Sequence, residues 1–108
     1  MQDGTYSGVV GWLPPDDAYD LNIIVRRNGG ELAFDFLIDD CSYTAKLTKC
    51  GELDHVYSGE YSRTEGGVVT REKAHCSLLN DGDRWVVYGF WIENGLRYTW
   101  SGELSLDE

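Results

Sequence analysis

Residues 84–106 read RWVVYGFWIENGLRYTWSGELSL, and the Asn94-Gly95 pair in the middle decides the architecture. A two-residue type I′ hairpin needs positive φ at both central positions, which Asn and Gly tolerate best. A turn there sets Trp91 against Tyr98, Gly89 against Trp100, Val87 against Gly102 and Trp85 against Leu104. Large residues meet glycines, as close packing wants. In the second arm Leu96, Tyr98, Trp100, Leu104 and Leu106 share one face, while Arg97, Thr99, Ser101, Glu103 and Ser105 share the other. That alternation predicts a strand with one buried and one wet face. The first arm differs, because its outer positions Val86, Tyr88, Phe90 and Ile92 are apolar as well.

Working upstream, Asp81-Gly82 is a second hairpin signal. It predicts pairing of Leu78 with Trp85, Cys76 with Val87 and Ala74 with Gly89, which selects the same inward residues as the last hairpin. The remaining strands read as Thr5–Leu13, Tyr19–Arg27, Glu31–Ile38, Ser42–Lys49, His55–Arg63 and Val68–Leu79. Their inward sets are Tyr6, Gly8, Val10, Trp12; Leu21, Ile23, Val25; Leu32, Phe34, Phe36; Tyr43, Ala45, Leu47; His55, Tyr57, Gly59, Tyr61; and Val68, Thr70, Glu72, Ala74, Cys76, Leu78. Closing on Asn28-Gly29 sets Arg26 opposite Glu31; closing on Gly29-Gly30 shifts the pairing and keeps the faces. Pro14-Pro15-Asp16-Asp17 breaks the pattern after the first strand.

Eight strands joined by short connections, with no helical period, predict an all-β fold. An even-numbered meander can close its last strand on its first, so the expected architecture is an eight-stranded antiparallel up-and-down β-barrel. A two-sheet β-sandwich is the alternative. At 108 residues the chain is one domain and buries roughly two-thirds of its unfolded surface.

A weak repeat runs through the chain: Tyr6-Ser7-Gly8, Tyr57-Ser58-Gly59 and Trp100-Ser101-Gly102. Its simplest meaning is geometric, since an inward Gly lets a strand coil and leaves room for the aromatic. Thr99-Trp100-Ser101-Gly102 resembles a strand motif of the avidin-type biotin-binding barrels, and Tyr57-Ser58-Gly59-Glu60-Tyr61 resembles another. In that family further strands follow the Trp-Ser-Gly strand, whereas here the chain ends. The resemblance implies a barrel, calycin- or avidin-like in outline, and transfers no biotin-binding residue.

Nine basic against nineteen acidic residues give a net charge of −10. Such a surface repels polyanions, so nucleic acid and anionic membrane are poor partners, and a basic protein or a cation is the natural complement. No apolar run reaches the ~20 residues of a membrane helix. MQDGTYSG lacks a basic segment and an apolar h-region, so no signal peptide is expected, and with an odd count of three cysteines the expectation is reduced thiols and a cytoplasmic setting. Cys41 and Cys50 flank one strand, roughly 25–30 Å apart, too far for a disulfide.

The turns Leu13–Ala18, Asp39–Cys41, Thr64–Gly67 and Asn94-Gly95 gather at one barrel end. That end collects Asp16, Asp17, Asp20, Asp39, Asp40, Glu65 and Glu93 against Arg63 and Arg97. Glu72 is expected inside, opposite Trp91, where it would bind a cation or ligand donor or simply accept a Tyr or Trp hydrogen bond. Cys50, His55 and Cys76, with Asp54 as a fourth ligand, are a weak zinc candidate whose spacing matches no standard pattern. No nucleophile elbow, phosphate loop or HExxH occurs. No cofactor or metal is therefore expected, and an enzyme is the least supported reading.

Two functions remain. The first is a non-enzymatic protein-binding module of inhibitor, immunity or adaptor type. Its contact would be the outward strip Val86, Tyr88, Phe90 and Ile92, flanked by Ser77, His75, Lys73 and Arg71 of the sixth strand and by Arg97, Thr99 and Ser101 of the eighth. Its partner would be another protein, basic in character, or a second copy. The second is a small-molecule barrel, with a ligand at an aromatic and acidic mouth formed by Trp12, Glu72, Trp91 and Tyr98.

Overall fold

The computed structural model describes residues 2–13, 21–38 and 41–107, and the side chains of all of these except residues 12, 13, 53 and 54. Eight strands follow in order: β1 Gly4–Leu13, β2 Leu21–Asn28, β3 Glu31–Ile38, β4 Cys41–Cys50, β5 Leu53–Glu65, β6 Val68–Asp81, β7 Arg84–Glu93 and β8 Leu96–Leu106. Each pairs antiparallel with the next, and β8 returns to β1 to close the barrel. The closing ladder runs from Tyr6 opposite Leu106 to Leu13 opposite Thr99. The two-sheet alternative is thereby excluded. Among the described residues no helix is long and apolar enough to cross a membrane.

The last hairpin forms as its turn dictates. Asn94 and Gly95 hold φ of 53° and 77°, and Trp91 faces Tyr98 while Gly89 faces Trp100. Two other hairpins close one residue later than the first reading of their turns. The β6–β7 loop is Gly82-Asp83, so Leu78 faces Val87, Cys76 faces Gly89 and Ala74 faces Trp91. Only Gly82 of that pair has positive φ, 67°, which suits a turn needing it at the first central position alone. The β2–β3 turn is Gly29-Gly30, so Val25 faces Phe34 and Arg26 faces Ala33. The Arg26–Glu31 pair is thus replaced by Arg26 with Asp35, one diagonal step along. Both shifts move the register by two, which leaves every side chain on its expected face.

The inward faces fill the barrel. Tyr6, Phe34, Tyr43, Tyr57, Tyr61, Trp91 and Trp100 are buried with Leu21, Ile23, Val25, Leu32, Leu47, Leu78, Val87 and Leu104. A barrel this densely aromatic closes only where the wall lacks side chains. At Gly8, Gly59 and Gly102 a Cβ would sit 2.1 Å or less from a carbonyl oxygen of the adjacent strand. At Gly89 it would lie 2.8 Å from Trp100 Cζ2, so the indole occupies the space the glycine vacates. The aromatic-Ser-Gly repeat therefore marks the places where strands approach most closely.

The rims depart from strict alternation. His55, Val68, Thr70, Leu96 and Tyr98 lie on inward positions yet are exposed. Strand stagger carries these residues past the ends of their neighbours, where no described strand remains to cover them. His55 precedes the first β5–β6 pair, Val56 with Ser77, and Val68 and Thr70 precede the first β6–β7 pair, Ala74 with Trp91.

Gly102→Ala should lower stability by about 1–3 kcal/mol, the cost of overpacking a filled site. Gly30→Ala is the control: its Cβ meets only Lys49 Cβ at 3.8 Å, and the change should stay within about 0.5 kcal/mol. Urea unfolding of both variants checks the pair. Equal stability would mean that Gly102 is no close-approach point.

Candidate functional site

Three regions could carry function: the outer wall across β5–β8, the Glu72 end, and the interior. On the outer wall, burial of Val87, Gly89 and Trp91 turns Val86, Tyr88, Phe90 and Ile92 outward, because side chains alternate along β7. Tyr88 is 54% exposed and the other three are half-buried. The shifted β6 register places Leu79 beside Val86, Ser77 beside Tyr88 and His75 beside Phe90. Leu79 is exposed and extends the strip. On the other flank Ser101, Thr99 and Arg97 of β8 stand opposite Tyr88, Phe90 and Ile92.

Phe90 is held from both flanks. The His75 ring stacks on it at 5.3 Å between centroids, 22° from parallel. The Arg97 guanidinium carbon lies 3.9 Å from the Phe90 centroid, within cation–π range. Beside this stack an open groove of about 610 Å³ is lined by Ser58, Glu60, Lys73, His75, Phe90 and Ile92. A second of about 480 Å³ lies over Thr44, Lys46, Thr48, Glu60, Ser62 and Arg71. Lys46, Glu60 and Lys73 form one cross-strand row, and Thr44, Ser62 and Arg71 the next. A cationic island therefore sits on the wall of an acidic protein. His75, Lys73 and Arg71 flank the strip as the outward parity of β6 predicts, but the register shift brings His75 rather than Lys73 opposite Phe90. Lys46 is the cation of the island that sequence reasoning missed.

At the Glu72 end the structure brings together Tyr43, Tyr61, Arg63, Glu72 and Glu93. Glu72 does not face Trp91, whose partner is Ala74. Its Oε2 accepts from the Asn94 backbone N–H at 3.2 Å and from the Tyr61 hydroxyl at 3.2 Å. The Tyr61 hydroxyl also lies 2.5 Å from the Ile92 carbonyl oxygen. β6 and β7 part company here, and these side chains serve backbone groups of β7 and its turn. Glu72 is thus a hydrogen-bonded structural carboxylate. The Tyr43 hydroxyl donates to Glu93 Oε1 at 3.3 Å, and Arg63 reaches Glu93 at 3.7 Å and Glu65 at 2.7 Å. The two described acids of the expected negative pole are thereby paired, and Asp16, Asp17, Asp20, Asp39 and Asp40 lie outside the described residues.

The interior has little space. Trp91 stacks on Phe36 at 5.5 Å and packs against Tyr43, Tyr61 and Trp100 at about 6 Å. Among the described residues, the hollow bounded by Val10, Leu21, Phe34, Trp91 and Trp100 measures about 10 Å³. That is no more than about one water, against the several hundred Å³ of a small-molecule pocket. Of the proposed mouth, Trp91 is core, Tyr98 stands 39% exposed at the rim, Glu72 caps the turn, and the Trp12 side chain lies outside the described residues.

The zinc candidate does not assemble. His55 is exposed, Cys76 is wholly buried, and Cys50 Sγ contacts Ser58 Oγ at 3.3 Å. Among the described residues no three His, Cys, Asp or Glu side chains converge.

Cys41, Cys50 and Cys76 are free thiols. Burial, and then the nearby Cys50, push the Cys76 thiol up to about 12. Intact mass without reductant should correspond to three unbonded cysteines. Alkylation of the native protein at neutral pH should modify Cys50 first and Cys76 only after unfolding. A mass lower by two hydrogens would contradict the arrangement.

Burial, and then the Glu93 charge, push the Tyr43 hydroxyl up to about 12. The Tyr61 hydroxyl is raised in the same way, by burial first and then by Glu93 and Glu72. The folded state therefore keeps protons that the unfolded chain releases above about pH 10. Stability should be complete below that pH and fall as pH rises through about 12. Tyr43→Phe should flatten this alkaline loss, measured as urea midpoints between about pH 9 and about pH 11.5. An unchanged slope would remove Tyr43 from the linkage.

Comparison with protein-family models, with curated proteins and with solved structures finds no match for this chain.

Proposed function

We propose that this chain is a non-enzymatic protein-binding module whose contact surface is the outer wall of β7, centred on Tyr88 and Phe90. The observation that carries this reading is the Phe90 stack. A large aromatic ring is held on the outside of a filled barrel between His75 and Arg97, beside a Tyr that is more than half exposed. The barrel has its own complete core, so outward aromatics add little to the fold. Aromatic rings with few rotamers offer large contact area at low entropic cost. Val86, Ile92 and Leu79 widen the apolar centre, and Ser77, Thr99 and Ser101 give it a polar rim.

The partner is another protein or a second copy of this chain. Net charge of −10 draws basic partners at long range. At the β7 wall Lys73 and Arg97 edge the apolar centre, so a partner docking there presents apolar surface edged by acid. The free thiols suit a reducing compartment, and the cytoplasm is the proposed setting.

Phe90→Ser should weaken association by roughly 1–3 kcal/mol, as loss of an aromatic hot spot does. Its cost to folding should be about 0.5–1 kcal/mol, the size of an exposed cation–π contact. Sedimentation and quantitative capture, run beside thermal unfolding, read the two effects separately. Global unfolding of Phe90→Ser, or unchanged association by Phe90→Ser and Tyr88→Ser alike, would sink the proposal.

A further inference from the structure

β6 is longer than the strand it lies against. It pairs with β5 along its length from Val68, opposite Glu65, to Ser77, opposite Val56. Its ladder with β7 begins only at Ala74. Among the described residues, Val68 to Lys73 therefore has a strand on one side only. The β7 groups that would have continued the ladder are otherwise engaged: the Ile92 carbonyl by the Tyr61 hydroxyl, and the Asn94 N–H by Glu72. The parting of β6 from β7 is built into the side chains rather than left as a frayed end. What remains is an edge of backbone donors and acceptors, with Val68 67% and Val69 52% exposed.

Such an edge is a template for an added strand, and its charges select the occupant. Val69, Arg71 and Lys73 occupy outward positions along it, since Ala74, Cys76 and Leu78 face inward. Arg71 and Lys73 make no ion pair among the described residues, whereas Arg26, Arg63 and Arg84 do. A second copy of this chain would bring the same cations to the same face, and like charges opposed across a ladder are destabilising. A segment with acidic residues at alternate positions would lay them beside Arg71 and Lys73 while its backbone completes the ladder.

We propose that the β6 edge from Val68 to Lys73 is a docking site for an extended acidic polypeptide segment, which joins the barrel wall as an added strand. The site adjoins the Tyr88–Phe90 surface, with which it shares Lys73, and does not depend on the role proposed for that surface.

The test titrates a capped peptide of alternating Glu and Val into isotope-labelled protein and follows the backbone amides. Saturable shifts and slowed exchange should appear at Val68 to Lys73. The same peptide with Lys for Glu should bind about tenfold more weakly or worse, because like charges would be juxtaposed. N-methylation of alternate peptide bonds should abolish binding, since it removes ladder donors without changing charge. Arg71→Glu with Lys73→Glu should reverse the preference between the two peptides, and Phe90→Ser should leave binding unchanged. Absence of shifts at millimolar peptide, shifts confined to another surface, or equal binding of the N-methylated peptide would overturn the proposal. So would self-association of the protein through this edge.

Discussion

Everything in this molecule depends on how closely the strands approach at Gly8, Gly59, Gly89 and Gly102. At these positions a side chain would collide with a neighbouring backbone carbonyl or with the Trp100 ring. Eight strands in 108 residues must coil tightly to close, and the tightest turns of the wall leave no room for a Cβ. The same glycines make the aromatic filling possible. Trp100 lies over Gly89, and Tyr57 and Trp100 each precede a glycine by two positions on the same face. Closure and filling are one solution to one packing problem.

That solution leaves the outer wall and the rim as the surfaces on which function is proposed. A barrel whose hollow is about 10 Å³ among the described residues has spent its interior on stability. Glu72 and Glu93, carboxylates on inward positions near the rim, are both hydrogen-bonded, Glu72 to Tyr61 and the Asn94 backbone and Glu93 to Tyr43. The outer wall keeps an aromatic ring in a fixed pose, an apolar neighbourhood and a set of cations on an otherwise acidic chain. The rim keeps an edge of β6 that no described strand covers. Glu72 and Tyr61 create that edge by taking hydrogen bonds that a longer β6–β7 ladder would have made.

Much of the architecture was legible residue by residue. Period-two alternation named the inward faces of β2, β3 and β4 without error, and Asn94-Gly95 set the register of the last hairpin because Asn and Gly admit the φ values it needs. The outward placement of Val86, Tyr88, Phe90 and Ile92 followed from the same alternation. The flanking positions of His75 and Arg97 followed as well, but their contact with Phe90 did not, because it depends on the register of two ladders.

Local sequence determined the strands, their faces, the turns and so the barrel, because hydrophobic period and turn chemistry act over a few residues. Tertiary structure alone decided the register at Gly29-Gly30 and at Gly82-Asp83. A shift of two buries the same face, so the hydrophobic pattern is blind to it, and only closure of the whole wall distinguishes the alternatives. It also decided which inward positions are covered. His55, Val68, Thr70 and Tyr98 alternate correctly yet stand in solvent, because stagger between strands sets where the opposite wall ends. Stagger is a property of the closed ring and of no single strand.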